Sequence, residues 1–181
     1  MGAIVEEPGL SRQLLMRRWA QIVADPVLAD LPYGIELDQW GDIRMTPTAS
    51  PKHMRIGFTL AQALEAALGG AALQEGAIVS PRGVLTADVV WCSAEYVSRH
   101  DDVFAEGAPA MPDAPEICVE VVSPSNTLPK LQQKMDAYLA AGAVEGWVVL
   151  EDLSIRVFSQ DGEQARSRFQ VDLSGWRAEL T

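Results

Sequence analysis

Residues 116–122 read Glu-Ile-Cys-Val-Glu-Val-Val, a strand rich in β-branched residues with a carboxylate, Glu120, in its middle. A charge placed there loses the water that a polar loop would leave it, so something must compensate it. Alternation sets Glu116, Cys118, Glu120 and Val122 on one face and Ile117, Val119 and Val121 on the other. A structural ion pair would satisfy a single such glutamate, but two further residues extend the pattern. Asp88 opens an earlier apolar strand over 88–92, and Lys134 lies on a helix over 129–141 that follows the 123–127 turn and stops at Gly142. Two carboxylates brought together repel unless a cation or a shared proton holds them. With Lys134 at the third corner, the set suggests a divalent-metal site acting on a phosphate.

Hard carboxylate oxygens suit Mg²⁺ or Mn²⁺, and magnesium commonly takes one or two protein carboxylates plus waters and phosphate. Such an ion polarises a phosphoryl oxygen and lowers the pKa of an attacking water, while a nearby ammonium offsets the developing charge. Lys130 and Lys134 are one helical turn apart and share a face, which two solvated lysines on a surface helix would also do. Tyr138 shares the Lys134 face. Glu36, between Ile35 and Leu37 on a short predicted strand, is a possible third carboxylate, although alternation alone would equally point it outward. His53, at the start of a long helix, is by type more often a cap or surface residue than a ligand. His100 falls in a polar stretch with no evident partner. The 123–127 turn can offer backbone N–H groups to phosphate, or simply cap the next helix. Glycine-rich phosphate loops, zinc-type Cys/His pairings and a Gly-x-Ser-x-Gly elbow do not occur.

Around these residues the pattern is that of one α/β domain over 1–181, a mixed sheet flanked by helices. Apolar residues Leu14, Leu15, Trp19, Ile22 and Val23 recur at helical spacing within 10–24, an N-terminal helix. Two strands over 34–38 and 42–45 flank Gly41. A helix capped by Ser50 then runs to Gly69-Gly70. Strands follow over 77–80 and 88–92, joined by the Pro81-Arg82-Gly83 turn. Residues 93–115 read as a flexible loop broken by prolines, with one helical turn at 94–99. Strands over 145–150 and 155–158, and an edge strand around 167–171, complete the set.

A chain of 181 residues with 48% hydrophobic and 22% charged residues buries a core without disulfides. Cys92 and Cys118 read as reduced core thiols. No apolar run spans a bilayer, and Glu6 and Glu7 stand where a signal peptide would carry basic residues, so a cytoplasmic location is expected. The net charge of -11 argues against a broad nucleic-acid-binding surface, though local charge can oppose the global sign.

Taken in order, Gly34-Ile35-Glu36-Leu37, Ser50-Pro51-Lys52-His53, Ala87-Asp88-Val89-Val90, residues 115–125, residues 134–142 and Glu145-Gly146-Trp147-Val148-Val149 resemble the Uma-type family of restriction endonucleases. The likeness runs from about Gly34 to Phe158. It implies a restriction endonuclease-like fold of the PD-(D/E)xK superfamily and Mg²⁺-dependent hydrolysis of a DNA phosphodiester. By that resemblance Asp88 and Glu120 bind the metal with Glu36 as a further acidic position, and Lys134 is the catalytic lysine, moved from the strand to the next helix. His53 and Lys130 are expected to contact substrate, and a homodimer is an option for cutting two strands. The chain departs from the family at Glu116, where aspartate is usual, at Lys130, where an acid is usual, and at Leu150-Glu151-Asp152, where Asp-Pro is usual. Two other readings share these residues: a catalytically silent binding or assembly protein, and a hydrolase of smaller phosphate esters.

Overall fold

The computed structural model describes residues 9–123 and 127–180. Its centre is a mixed sheet of eight strands, β1 (Tyr33–Asp38), β2 (Ile43–Pro47), β3 (Ala71–Ser80), β4 (Gly83–Cys92), β5 (Ile117–Val121), β6 (Glu145–Val149), β7 (Ile155–Ser159) and β8 (Gly162–Gln164). The path runs β2-β1-β4-β5-β6-β7-β8, with β3 hairpinned onto β4. Among these strands only β5 and β6 pair in parallel, and helix α6 (Leu128–Ala140) lies between them in the chain.

Three apolar clusters hold helices to this sheet. The N-terminal helix α1 (Arg12–Val23) packs Leu15, Trp19 and Ile22 against Leu37, Val79 and Val84, after a short α2 (Pro26–Ala29) turns the chain into β1. Helix α3 (Pro51–Leu68) lays Ile56, Leu60 and Leu64 on one face, over Val89, Val119 and Trp147. On the other face α6 lays Leu131, Met135 and Tyr138 over Val90, Cys118 and Val148. Each large apolar side chain buried in this way contributes roughly 1.5–3 kcal/mol. At Gly146 the sheet presents no Cβ to the helix above it, and one built there would lie 2.6 Å from the Met135 sulfur. That close approach brings the neighbouring Lys134 down to the sheet.

The single strand β4 decides the layout. Along one edge it pairs with β3 from Gly83 to Cys92, interrupted only opposite Asp88. Along the other edge it pairs with β1 only at Gly83 and Val84, and with β5 only at Val89, Val90 and Trp91. Between these contacts β1 and β5 splay apart and leave residues 85–88 without a strand neighbour on that edge. Gly83 fixes one end of the opening, since a Cβ there would collide with the Leu37 carbonyl and push β1 away.

Several expectations need correction. Asp88 stands well inside β4, because β3 and β4 both extend past the apolar stretches that marked them. The 93–115 segment is not a loose loop. It forms α4 (Ala94–Arg99) and α5 (Asp101–Phe104), buries Tyr96, Ala110, Met111 and Ala114, and is pinned to β3 by hydrogen bonds between Met111 and both Ala77 and Val79. His100 is buried there, its Nε2 3.0 Å from Asp113 Oδ1. No strand forms over 167–171: the Ser167 hydroxyl and the Arg168 N–H both donate to the buried Glu145 carboxylate, which takes the backbone out of any ladder. The chain ends instead in α7 (Ser174–Leu180), whose Trp176 packs on α3 and donates its indole N–H to Thr59. Cys92 and Cys118 are buried and free, as expected.

Candidate active site

The opening beside β4 is where the predicted site residues meet. Thr86 pairs with Ala77 of β3 on one side, and on the open edge its backbone groups find side chains in place of a neighbouring strand. Glu36, from β1, accepts the Thr86 N–H at 3.0 Å through Oε1. Lys134, from α6, donates to the Thr86 carbonyl at 2.9 Å. At the other margin Asp88 Oδ2 accepts the Val121 N–H of β5 at 2.6 Å. Buried backbone donors and acceptors must be satisfied, and here the residues of the site satisfy them.

Lys134 is the hub. Its ammonium lies 2.9 Å from Glu36 Oε1 and 2.9 Å from Glu120 Oε1 as well as on the Thr86 carbonyl. Those three acceptors match the three N–H donors of an ammonium. Desolvation pulls the Lys134 pKa down, but the Glu120 and Glu36 carboxylates outweigh it and hold the group charged. Glu120 also accepts the Tyr138 hydroxyl at 2.7 Å. Burial pushes the Glu120 carboxyl up to about 7 against the pull of Lys134, and the Asp88 charge pushes it further the same way. Only 3% of the Glu120 side chain reaches solvent, so the desolvation that the strand pattern implied is real.

Asp88 carries the second half of the site. Its Oδ1 lies 3.0 Å from Nε2 of His53, in the first turn of α3. Both ring nitrogens of His53 are buried, and Asp88 is the polar group against Nε2, a contact that becomes an ion pair when the ring is protonated. The Asp88 carboxylate is the main influence raising the His53 pKa, with Glu120 and Glu75 acting in the same direction. Helices on opposite faces of the sheet therefore reach the same opening, α6 with Lys134 and α3 with His53.

Five of the six predicted residues thus gather at one place: Glu36, His53, Asp88, Glu120 and Lys134. Lys130 sits one turn before Lys134 on the exposed side of α6, outside this bonded network. The 124–126 part of the predicted phosphate-binding turn lies outside the described residues, and Thr127 at its end gives α6 no side-chain cap. His53 is not the surface cap its position suggested: Ser50 caps α3, and the imidazole turns inward. Glu75 of β3 was missed. Counting back from the Pro81-Arg82-Gly83 turn along both arms of the hairpin sets it across from Asp88, a signal the sequence did contain.

Comparison with known proteins gives the family and the fold. Residues 32–181 match the Uma2 family, described as "putative restriction endonuclease". The chain belongs to this family. Among solved structures, the fold matches a crystal structure described as a "putative nuclease belonging to DUF820" from Anabaena variabilis ATCC 29413. The TM-score is 0.62 at 18% identity, over 83% of this chain and 89% of that one. The restriction endonuclease-like fold expected of a Uma2 chain is thereby present. No curated protein matches the chain. The family match runs past Phe158 to the C-terminus, so α7 belongs to the Uma2 unit. Among the described residues no helix is long and apolar enough to cross a membrane.

Proposed function

We propose that this Uma2 chain is a divalent-metal-dependent nuclease that hydrolyses phosphodiester bonds of DNA. The observation that carries the reading is the convergence of Asp88, Glu120 and Lys134 at the gap in the sheet, each delivered by a different element. The donor set fits a hard divalent ion. Four carboxylates, those of Glu36, Glu75, Asp88 and Glu120, act on one another there against one ammonium and one imidazole. The charge of Asp88 makes Glu120 harder to ionise, a repulsion that a shared cation removes. Among the described residues no three Asp, Glu, His or Cys form a complete metal cage. That suits Mg²⁺, which keeps waters and uses one or two carboxylates with substrate phosphate.

Asp88 and Glu120 would hold the ion. Mg²⁺ or Mn²⁺ bound there supplies Lewis-acid polarisation of the phosphoryl oxygen and a lower pKa for water. Lys134 would orient the attacking water and offset charge on the phosphoryl oxygens, and Glu36 steadies the ammonium for that task. His53 sets the Asp88 carboxylate from the α3 side and lies close enough to the opening to contact phosphate. Lys130 would meet the DNA backbone from the exposed face of α6.

One feature favours a second reading, a catalytically silent scaffold: all three donors of Lys134 are already engaged within the protein. The test is cleavage of supercoiled and linear DNA with Mg²⁺ or Mn²⁺, beside Asp88→Asn and Lys134→Ala. Cleavage that falls by about 100-fold or more in both folded variants supports the nuclease. Metal binding without DNA cleavage points to smaller phosphate esters, and neither property points to the silent scaffold.

A further inference from the structure

Glu75 is the one carboxylate of the opening that the protein leaves uncommitted. In the β3–β4 ladder Gln74 pairs with Val89 and Gly76 with Ala87, so Glu75 falls opposite Asp88, yet that pair is missing from the ladder. The cause is the Glu75 backbone, at φ 53 in the left-handed region. Side-chain facing also shifts at this point. Leu85 and Ala87 pack into the same cluster as Val90 and Cys92, although strict alternation would put them on opposite faces. A glutamate is costly in that conformation, which glycine adopts freely and asparagine tolerates.

Glu36, Asp88 and Glu120 are each held by named donors, whereas Glu75 is exposed and makes no hydrogen bond or ion pair among the described residues. It nonetheless feels the site. Desolvation raises its proton affinity, the Asp88 carboxylate raises it further, and His53 and Lys134 pull it back. A strained, unpartnered acid directly across from Asp88 is poorly explained as a turn residue, since glycine would make the same turn without strain.

Resting on the nuclease reading above, we propose that Glu75 is a positioning residue of this site, whose carboxylate accepts hydrogen bonds from the water shell of the divalent ion held by Asp88 and Glu120. An outer contact of this kind agrees with the lack of a three-ligand cage and with magnesium's retention of its waters. Glu75 then orders the solvent-facing side of the ion, and Lys134 works from the helix side.

The test is calorimetric titration of the full chain with MnCl₂, with a thermal melt of each variant in the absence of metal. Glu75→Gly and Glu75→Gln are expected to weaken Mn²⁺ binding by about 10-fold or more. Glu75→Gly should also melt at or above the wild-type temperature, because it relieves the backbone. Asp88→Asn, which keeps an acceptor for the Val121 N–H, should abolish binding. Unchanged Mn²⁺ affinity in both Glu75 variants alongside loss in Asp88→Asn would overturn the assignment of Glu75 and leave the site standing. Wild-type affinity in Asp88→Asn would overturn the metal site and the role of Glu75 with it.

Discussion

Lys134 and Glu120 meet with Nζ 2.9 Å from Oε1, one descending from a helix and the other rising from the middle of a buried strand. Each makes the other tenable. Removing the ammonium leaves Glu120 desolvated beside Asp88, and breaking a buried pair in this way costs about 3–5 kcal/mol. Lys134→Met should therefore destabilise the chain by that order at pH 8 in urea titrations. The loss should shrink at pH 5, where Glu120 takes up a proton.

The pH dependence of the native protein follows from the same carboxyl. Glu120 titrates near 7 in the fold against an ordinary value of 4.5, so the folded state binds its proton more tightly than the unfolded chain does. The stability tied to that proton is complete below pH 4.5 and lost as pH rises to about 7. Glu120→Gln should remove this downward slope from a plot of unfolding free energy against pH. In the wild type, Mn²⁺ affinity should rise across the same window, with proton release on binding measured by calorimetry in buffers of different ionisation enthalpy.

Tyr138 supports the charged form of Glu120 through its hydroxyl, at 2.7 Å. A hydrogen bond to a charged group is worth roughly 1.5–3 kcal/mol, so Tyr138→Phe should lose about that much stability above pH 7 and less below it. The Glu120 pKa, followed by carbon NMR of the side chain, should move up in this variant.

Asp88 has a structural duty besides its proposed chemical one, because it accepts the Val121 N–H. Asp88→Ala leaves that donor unsatisfied and should cost about 1–3 kcal/mol in thermal or urea unfolding. Asp88→Asn keeps an acceptor and should recover most of the loss. Neither variant should bind Mn²⁺, which separates the two duties.

The C-terminal helix holds α3 in place, and α3 carries His53. Trp176 is buried in the cluster between them and donates to Thr59 at 3.0 Å. Trp176→Ala should lower stability by about 3–5 kcal/mol, read from a chevron or equilibrium denaturation. A smaller loss would mean that α7 is only loosely attached.

Much of this arrangement was legible in the chain. The alternation of 116–122 set Glu120 on the α6 face, where Lys134 and Tyr138 now meet it, and Ser50 and Gly69 bounded α3 as caps. The mixed sheet and the course of most elements followed from period and turn residues alone. What stayed hidden has common physical causes. β3 and β4 pass through Glu75 and Thr86, polar residues that break the apolar pattern because the site, and not the core, is their neighbour. The 93–115 segment looked loose since its order comes from long-range bonds, such as Trp19 to the Pro109 carbonyl, that no local pattern records. The inward turn of His53 depends on where α3 lies over β4, which is tertiary information. The C-terminal helix went unread because seven residues with one buried tryptophan carry too little periodicity to mark a helix.

The branching of β4 has a dynamic consequence. Along one edge, the blocks that begin with β1 and β5 are joined across residues 85–88 by side chains and not by a ladder. That line is a seam, and local opening should start along it, with the amides of Thr86 and Val121 trading their protons for deuterium sooner than the ladder-bonded amides of the β3–β4 hairpin. Whatever settles into the seam will also stitch the halves of the molecule together.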